Sequence, residues 1–272
     1  MDWPPQVDQL AQFVAYMSLG GLSSRTAELY LSAISFQCKT SNLQDTTKHF
    51  IVTKLIEGFR RTSKAKRLRL PITYSLLESI LTKLPAVCRD EYESCLFSAV
   101  FALAFFGFFR VGELAVAKQN SVDVSKVVGI QDITFEAEDK ALLVLVRFSK
   151  TDQLGRGVTL RLGRTNSDIC PVRVVKRFLT MRSPVAGPLF CHFNHKPLTR
   201  FQFASILQKA IRVVDPTLSG YKSHSFRLGA ATRAAQLGWS VEKIKQSGRW
   251  SSDAYRSYIW TNRSYRDITG LF

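Results

Sequence analysis

Between Ser94 and Phe109 the chain reads SCLFSAVFALAFFGFF, a stretch without a single charge, and Arg110 follows at once. The run is shorter than the ~20 residues that span a bilayer. A helix apolar on every side belongs inside a protein core, so this segment requires other elements packed around it. A chain of 272 residues is long enough to supply them in one or two domains.

Charge narrows the class of partner. Thirty-eight Lys and Arg stand against twenty-one Asp and Glu, a net charge of +17, which favours binding a polyanion. No basic region leads into an apolar one at the N-terminus, so no secretory signal is expected. The five cysteines, Cys38, Cys88, Cys95, Cys170 and Cys191, form no C-x-x-C pair. That pattern speaks against a disulfide scaffold or a zinc site, and for a reducing, intracellular compartment.

Residues 7 to about 36 carry apolar positions at helical spacing on both sides of Gly20-Gly21, which predicts two helices, and a third is expected over 46–61. Seven basic residues then crowd between Lys54 and Arg69 (Lys54, Arg60, Arg61, Lys64, Lys66, Arg67, Arg69) against the single Glu57. Such a run, ending at Pro71, reads either as a solvated linker or as one that touches phosphates. The expected organisation is a helical domain over 1–62, a basic linker over 63–72 and a larger domain over 73–272. In the last, helices are expected over 73–84 and 92–117, β-structure over 133–162 with ALLVLVRF and GVTLRL as a hairpin, then helices over 171–182, 200–214, 224–237, 241–247 and 253–260. The fold class is mainly α with a small antiparallel sheet.

Several residues have types suited to phosphodiester chemistry. Arg110 closes the apolar run, an expensive place for a guanidinium unless it has a partner or an anion, and Glu113 lies one turn on. His224 and Arg227 also stand one turn apart at a helix start, where backbone N–H groups favour anions. Trp250 has an indole N–H to donate, although burial in a core is the commoner fate of that residue. Tyr255 and Tyr258, three residues apart on one expected helix, are both candidate nucleophiles, and each needs a cationic pocket or a base to lose its proton near neutral pH. Lys150 sits in the turn between the hairpin strands, where it is either solvated or able to reach a DNA groove and protonate a leaving oxygen.

The order Arg110, Lys150, His224-Ser225-Phe226-Arg227, Gly248-Arg249-Trp250, Tyr258 resembles the tyrosine recombinase, or phage integrase, superfamily over nearly the whole chain. The phrases Arg69-Leu70-Pro71-Ile72-Thr73, His224 to Thr232 and Gly248 to Ala254 are most similar to recombinases of eukaryotic DIRS-like and Ngaro-like retroelements and Cryptons. Leu22 to Thr26 and Tyr30 to Ile34 resemble that family's core-binding domain. The resemblance implies that Arg110 and Arg227 clamp the scissile phosphate, that His224 and Trp250 complete the oxygen contacts, and that Glu113 braces Arg110. It further implies Lys150 as general acid and Tyr258 as the nucleophile that forms a 3′-phosphotyrosyl link, without metal or other cofactor.

The interval from Trp250 to Tyr258 is one residue shorter than in most integrases, which on an α-helix turns the side chain by about 100°. Tyr258 is preferred over Tyr255 because Tyr258-Ile259 matches the pair common in the family. The implied partner is double-stranded DNA, gripped with the help of Arg60, Arg61, Lys64, Lys66, Arg67 and Arg69, by a dimer or tetramer and without a membrane. The implied setting is integration of a mobile element, in the nucleus if the element is eukaryotic. Two other readings remain at this level: a catalytically silent DNA-binding protein, and a type IB topoisomerase, which usually has Lys where this chain has His224.

Overall fold

The computed structural model describes residues 3–62, 70–119, 122–149, 152 and 155–260. The chain divides into two compact units, Met1–Arg67 and Leu68–Phe272.

The first unit holds α1 (Val7–Leu19), α2 (Ser24–Thr40) and α3 (Phe50–Thr62). Leu10, Val14 and Met17 of α1 recur about once per turn and meet Ala27 and Leu31 of α2 and Val52, Ile56 and Phe59 of α3 in one core. The Ser23 side chain caps α2 by accepting from the Thr26 amide at 3.1 Å. The single helix expected over 46–61 is two pieces. Asp45 accepts both the amide and the hydroxyl of Thr47, at 3.1 and 2.6 Å, which closes a separate 3₁₀ turn over Thr46–Lys48 before α3 begins.

In the second unit the apolar run forms α5 (Glu91–Phe106), started by Asp90 accepting from the Glu93 amide at 2.7 Å. Leu96, Phe97, Val100, Phe101 and Leu103 are fully buried. Around it pack α4 (Tyr74–Lys83), α7 (Pro171–Met181) and α9 (His224–Gln236), with α8 (Arg200–Val214) against α4. The sheet is antiparallel in the order β1 (Ile133–Phe135), β2 (Ala141–Val146), β3 (Val158–Gly163). Leu142 faces Leu162 and Val144 faces Leu160 across β2 and β3, and these four side chains are buried on one face.

Two departures from the expected helices shape the site. The helix expected to reach residue 117 stops at Gly107: Phe108 takes a left-handed backbone conformation (φ 52°), and the Phe109 ring folds back over Gly107, where a Cβ would lie 2.2 Å from it. Arg110 therefore does not end α5 but is the N-cap of a separate turn, α6 (Val111–Leu114). At the other end, α10 (Val241–Gly248) is followed by a 3₁₀ helix over Asp253–Tyr258 in place of the expected α-helix over 253–260. α9 itself is seated by its glycine: a Cβ on Gly229 would come 1.8 Å from the Ile72 carbonyl oxygen, and the Ile72 amide donates to Ser225 O at 3.0 Å.

Candidate active site

Glu113 is the anionic centre of the cluster and is 4% exposed. Its carboxylate accepts the Arg110 amide at 2.9 Å, Arg110 Nη1 at 3.1 Å and Arg249 Nη2 at 2.6 Å. The bond to the backbone is the helix-capping contact that the break at Gly107 makes available, so one carboxylate both starts α6 and fixes a guanidinium. Arg249 enters from the end of α10 in a left-handed conformation (φ 54°) and also donates to Gly107 O and Phe108 O, both at 3.2 Å. Arg249 is not among the residues that the sequence pattern singles out for a role. The signal was available in Gly248-Arg249-Trp250, a cation wedged between a helix-ending glycine and a large apolar ring.

Arg227 is the largest fully buried side chain among the described residues. Its two terminal nitrogens donate to the carbonyls of Phe108 and Gly248, neither of them anionic. Its Nε is buried without a hydrogen-bond partner among the described residues. The guanidinium lies 4.1 Å over the Trp250 ring and 5.6 Å over the Tyr258 ring. Burial pushes its pKa down to about 9, with Arg110 and Arg249 adding repulsion and Glu113 and Tyr258 opposing it. Arg249 is lowered for the same first reason, with Glu113 offsetting part. A guanidinium gives up its proton very reluctantly, so the cluster of Arg110, Arg227 and Arg249 beside Glu113 keeps its positive charge and suits an oxyanion.

His224 is the first residue of α9, half-buried, with its ring centroid 4.8 Å from that of Tyr258. The Trp250 ring lies 4.9 Å from Tyr258 and 6.1 Å edge-on to Phe108. Arg110 and Glu113, His224 and Arg227, Trp250 and Tyr258 are thus drawn from three separated segments into one place. Tyr255, 5% exposed, is buried inside the small core of Phe108, Ala230, Ala231, Ala234, Ile244 and Trp250, against which the half-buried Tyr258 packs.

Lys150, Lys64, Lys66, Arg67 and Arg69 lie outside the described residues. Beside Lys150, Ser149 and Asp152 exchange backbone hydrogen bonds of 3.2 and 3.1 Å in the connection from β2 to β3. Arg60 and Arg61 stand exposed in the last turn of α3, with Arg60 paired to Glu28 at 2.7 Å. Among the described residues, no three of His, Cys, Asp and Glu gather as a metal site, and no helix is long and apolar enough to cross a membrane.

This architecture is similar to solved structures of DNA-bound recombinases. The Tn1549 transposon integrase in complex with circular intermediate DNA superposes with a TM-score of 0.63 at 14% identity, over 95% of this chain and 82% of that one. The XerH site-specific recombinase on palindromic difH substrate gives a TM-score of 0.63 at 18% identity, over 96% and 68% of the two chains. The fold is that of the tyrosine recombinases. A lambda integrase dimer on a COC′ core site matches with a TM-score of 0.62 at 17% identity, over 99% of this chain and 66% of that one. No family model matches the chain, and no curated protein does. The tyrosine recombinase fold accounts for the mainly helical second unit with its small three-stranded sheet.

Proposed function

We propose that the chain breaks and rejoins DNA strands as a tyrosine recombinase, with Tyr258 as the nucleophile. The observation that carries this reading is Arg227, fully buried beside Tyr258 with only neutral carbonyls as acceptors among the described residues. The cation gains a partner when a phosphate enters, and that phosphate then lies beside the tyrosine hydroxyl.

The reaction then runs as follows. Arg110 and Arg227 hold the non-bridging oxygens of the scissile phosphate, His224 and Trp250 donate to them, and Glu113 keeps Arg110 oriented. Tyr258 gives its hydroxyl proton to the unprotonated ring nitrogen of His224, its Oη attacks phosphorus, the bond to the 5′ oxygen breaks, and Lys150 gives that oxygen its proton. The 3′-phosphotyrosyl bond retains the energy of the broken one, so a second 5′ hydroxyl reverses the step and joins a new strand.

The short Trp250 to Tyr258 interval fits the 3₁₀ winding of Asp253–Tyr258. Five steps of about 120° sweep the same angle as six steps of about 100°, and the steeper rise, about 2.0 against 1.5 Å per residue, slightly more than restores the length, at about 10 against 9 Å. A 3₁₀ helix one residue shorter therefore presents its last side chain in much the same direction as an α-helix. Tyr255 is buried within the core against which Tyr258 is only half-buried, which favours Tyr258 further.

In this proposal the helical first unit and the basic residues from Arg60 to Arg69 grip the duplex as a dimer or tetramer. The setting is integration of a mobile element related to DIRS-like elements or Cryptons, within the nucleus. The experiment is incubation with a nicked duplex, chosen by binding selection from a random pool, followed by a denaturing gel. A covalent protein–DNA adduct is expected with the wild type and none with Tyr258→Phe. No adduct from the wild type would leave only a DNA-binding role, an adduct from Tyr258→Phe would move the nucleophile elsewhere, and relaxation of supercoils without exchange between sites would point to a topoisomerase.

A further inference from the structure

α9 carries more of the site than His224 and Arg227. Farther along it lies Thr232, 7% exposed, whose Oγ1 accepts the Trp260 amide at 3.0 Å and donates to the Tyr258 carbonyl at 3.3 Å. A threonine inside a helix ordinarily returns its hydroxyl to a carbonyl of the preceding turn. Here the hydroxyl bonds a different segment, and it does so on the C-terminal side of Tyr258.

Much else that holds this segment to α9 lacks direction. Ala230, Ala231 and Ala234 present a smooth face to Tyr255, Tyr258 and Ile259. Apolar contact of that kind is non-directional and tolerates sliding, and a 3₁₀ turn has poorer hydrogen-bond geometry than an α-helix. The far end is held by a Ser252 side-chain cap on the Ala254 amide at 3.4 Å and by the Lys245–Asp253 pair at 3.4 Å, with Asp253 well exposed. Hydrogen bonds specify a position along the helix in a way these contacts do not.

We propose that Thr232 is a positioning residue for the nucleophile: its hydroxyl locks the backbone of Tyr258 in register with His224 and Arg227 on the same helix. This rests on Tyr258 being the attacking group. His224 and Arg227, the part of the phosphate site on α9, and the backbone of the nucleophile are then referenced to one rigid element, and their separation is set at α9 rather than by loops. A displacement of about 1 Å at a reacting group slows a reaction by about a hundred-fold.

Three measurements on Thr232→Val and Thr232→Ser address it. The first is the single-turnover rate of adduct formation on the nicked, pool-selected duplex, the second is affinity for that duplex, and the third is hydrogen exchange at the Trp260 amide in free protein. The valine variant is expected to cleave roughly ten- to a hundred-fold more slowly with DNA affinity within about two-fold of wild type. Exchange at Trp260 accelerates, and the serine variant, which keeps the oxygen, recovers most of the rate and the protection. Thr232→Ala replaces the valine variant should the latter fail to fold, since either removes the hydroxyl. Wild-type cleavage by both hydroxyl-free variants, or a serine variant as slow as valine, overturns the positioning role alone. Absence of an adduct from the wild type overturns the reading of Tyr258 itself, whatever Trp260 exchange reports.

Discussion

Gly248→Ala probes how tightly the Trp250 ring is held over Arg227. Gly248 is the last residue of α10, and its φ is not in the left-handed region, so alanine suits the backbone. In a helix that replacement alone stabilises by about 1 kcal/mol. The added Cβ would, however, lie 1.7 Å from Trp250 Cζ3, 2.0 Å from Cε3 and 2.6 Å from Cη2. The ring must leave its place, and with it the contact 4.1 Å beneath the Arg227 guanidinium. Overpacking costs about 1–3 kcal/mol, and a desolvated cation–π contact is worth about 2 kcal/mol. Net destabilisation is then about 2–4 kcal/mol, and a unit of this size loses about 2–4 °C in Tm per kcal/mol. Thermal unfolding should show Tm lower by on the order of 10 °C, and adduct formation should slow even at temperatures where the variant is folded. A Tm that rises by a few degrees would mean that the helix preference wins, and that Trp250 is not fixed against Arg227.

Two further outcomes follow from the charge of the site. Sulfate should raise the Tm of the free protein more than sodium chloride of equal ionic strength does, because Arg110 and Arg249 share the Glu113 carboxylate and Arg227 beside them donates to carbonyls; at ten times its Kd the stabilisation is about 1.4 kcal/mol, and equal effects of the two salts would refute an anion pocket. Replacing Lys64, Lys66 and Arg67 with Gln should make the dependence of log affinity for duplex DNA on log salt shallower by about 2–3, and an unchanged slope would remove those residues from the interface.

What was legible in the sequence was what local pattern specifies. The apolar run before Arg110 announced a buried helix, and α5 is one. Periodicity located α7, α8, α9 and α10 to within a residue or two at either end, and the β-branched stretches gave the β2–β3 hairpin. The separation of Arg110, His224-x-x-Arg227, Trp250 and Tyr258 was legible as a list of types suited to a phosphate. Their convergence was not.

The sequence by itself determined which segments are helix or strand, because those choices follow from side-chain spacing over a few turns. Only the tertiary structure decided where α5 stops, since the Phe108 carbonyl is turned toward Arg227 and Arg249, which arrive from α9 and α10. It also decided that Glu113 is shared between Arg110 and Arg249. The same holds for the 3₁₀ winding of the segment bearing Tyr258, whose end is tied to Thr232 on α9. Each of these depends on buried polar groups finding partners far away in the chain, and spacing along one segment carries no record of such partners.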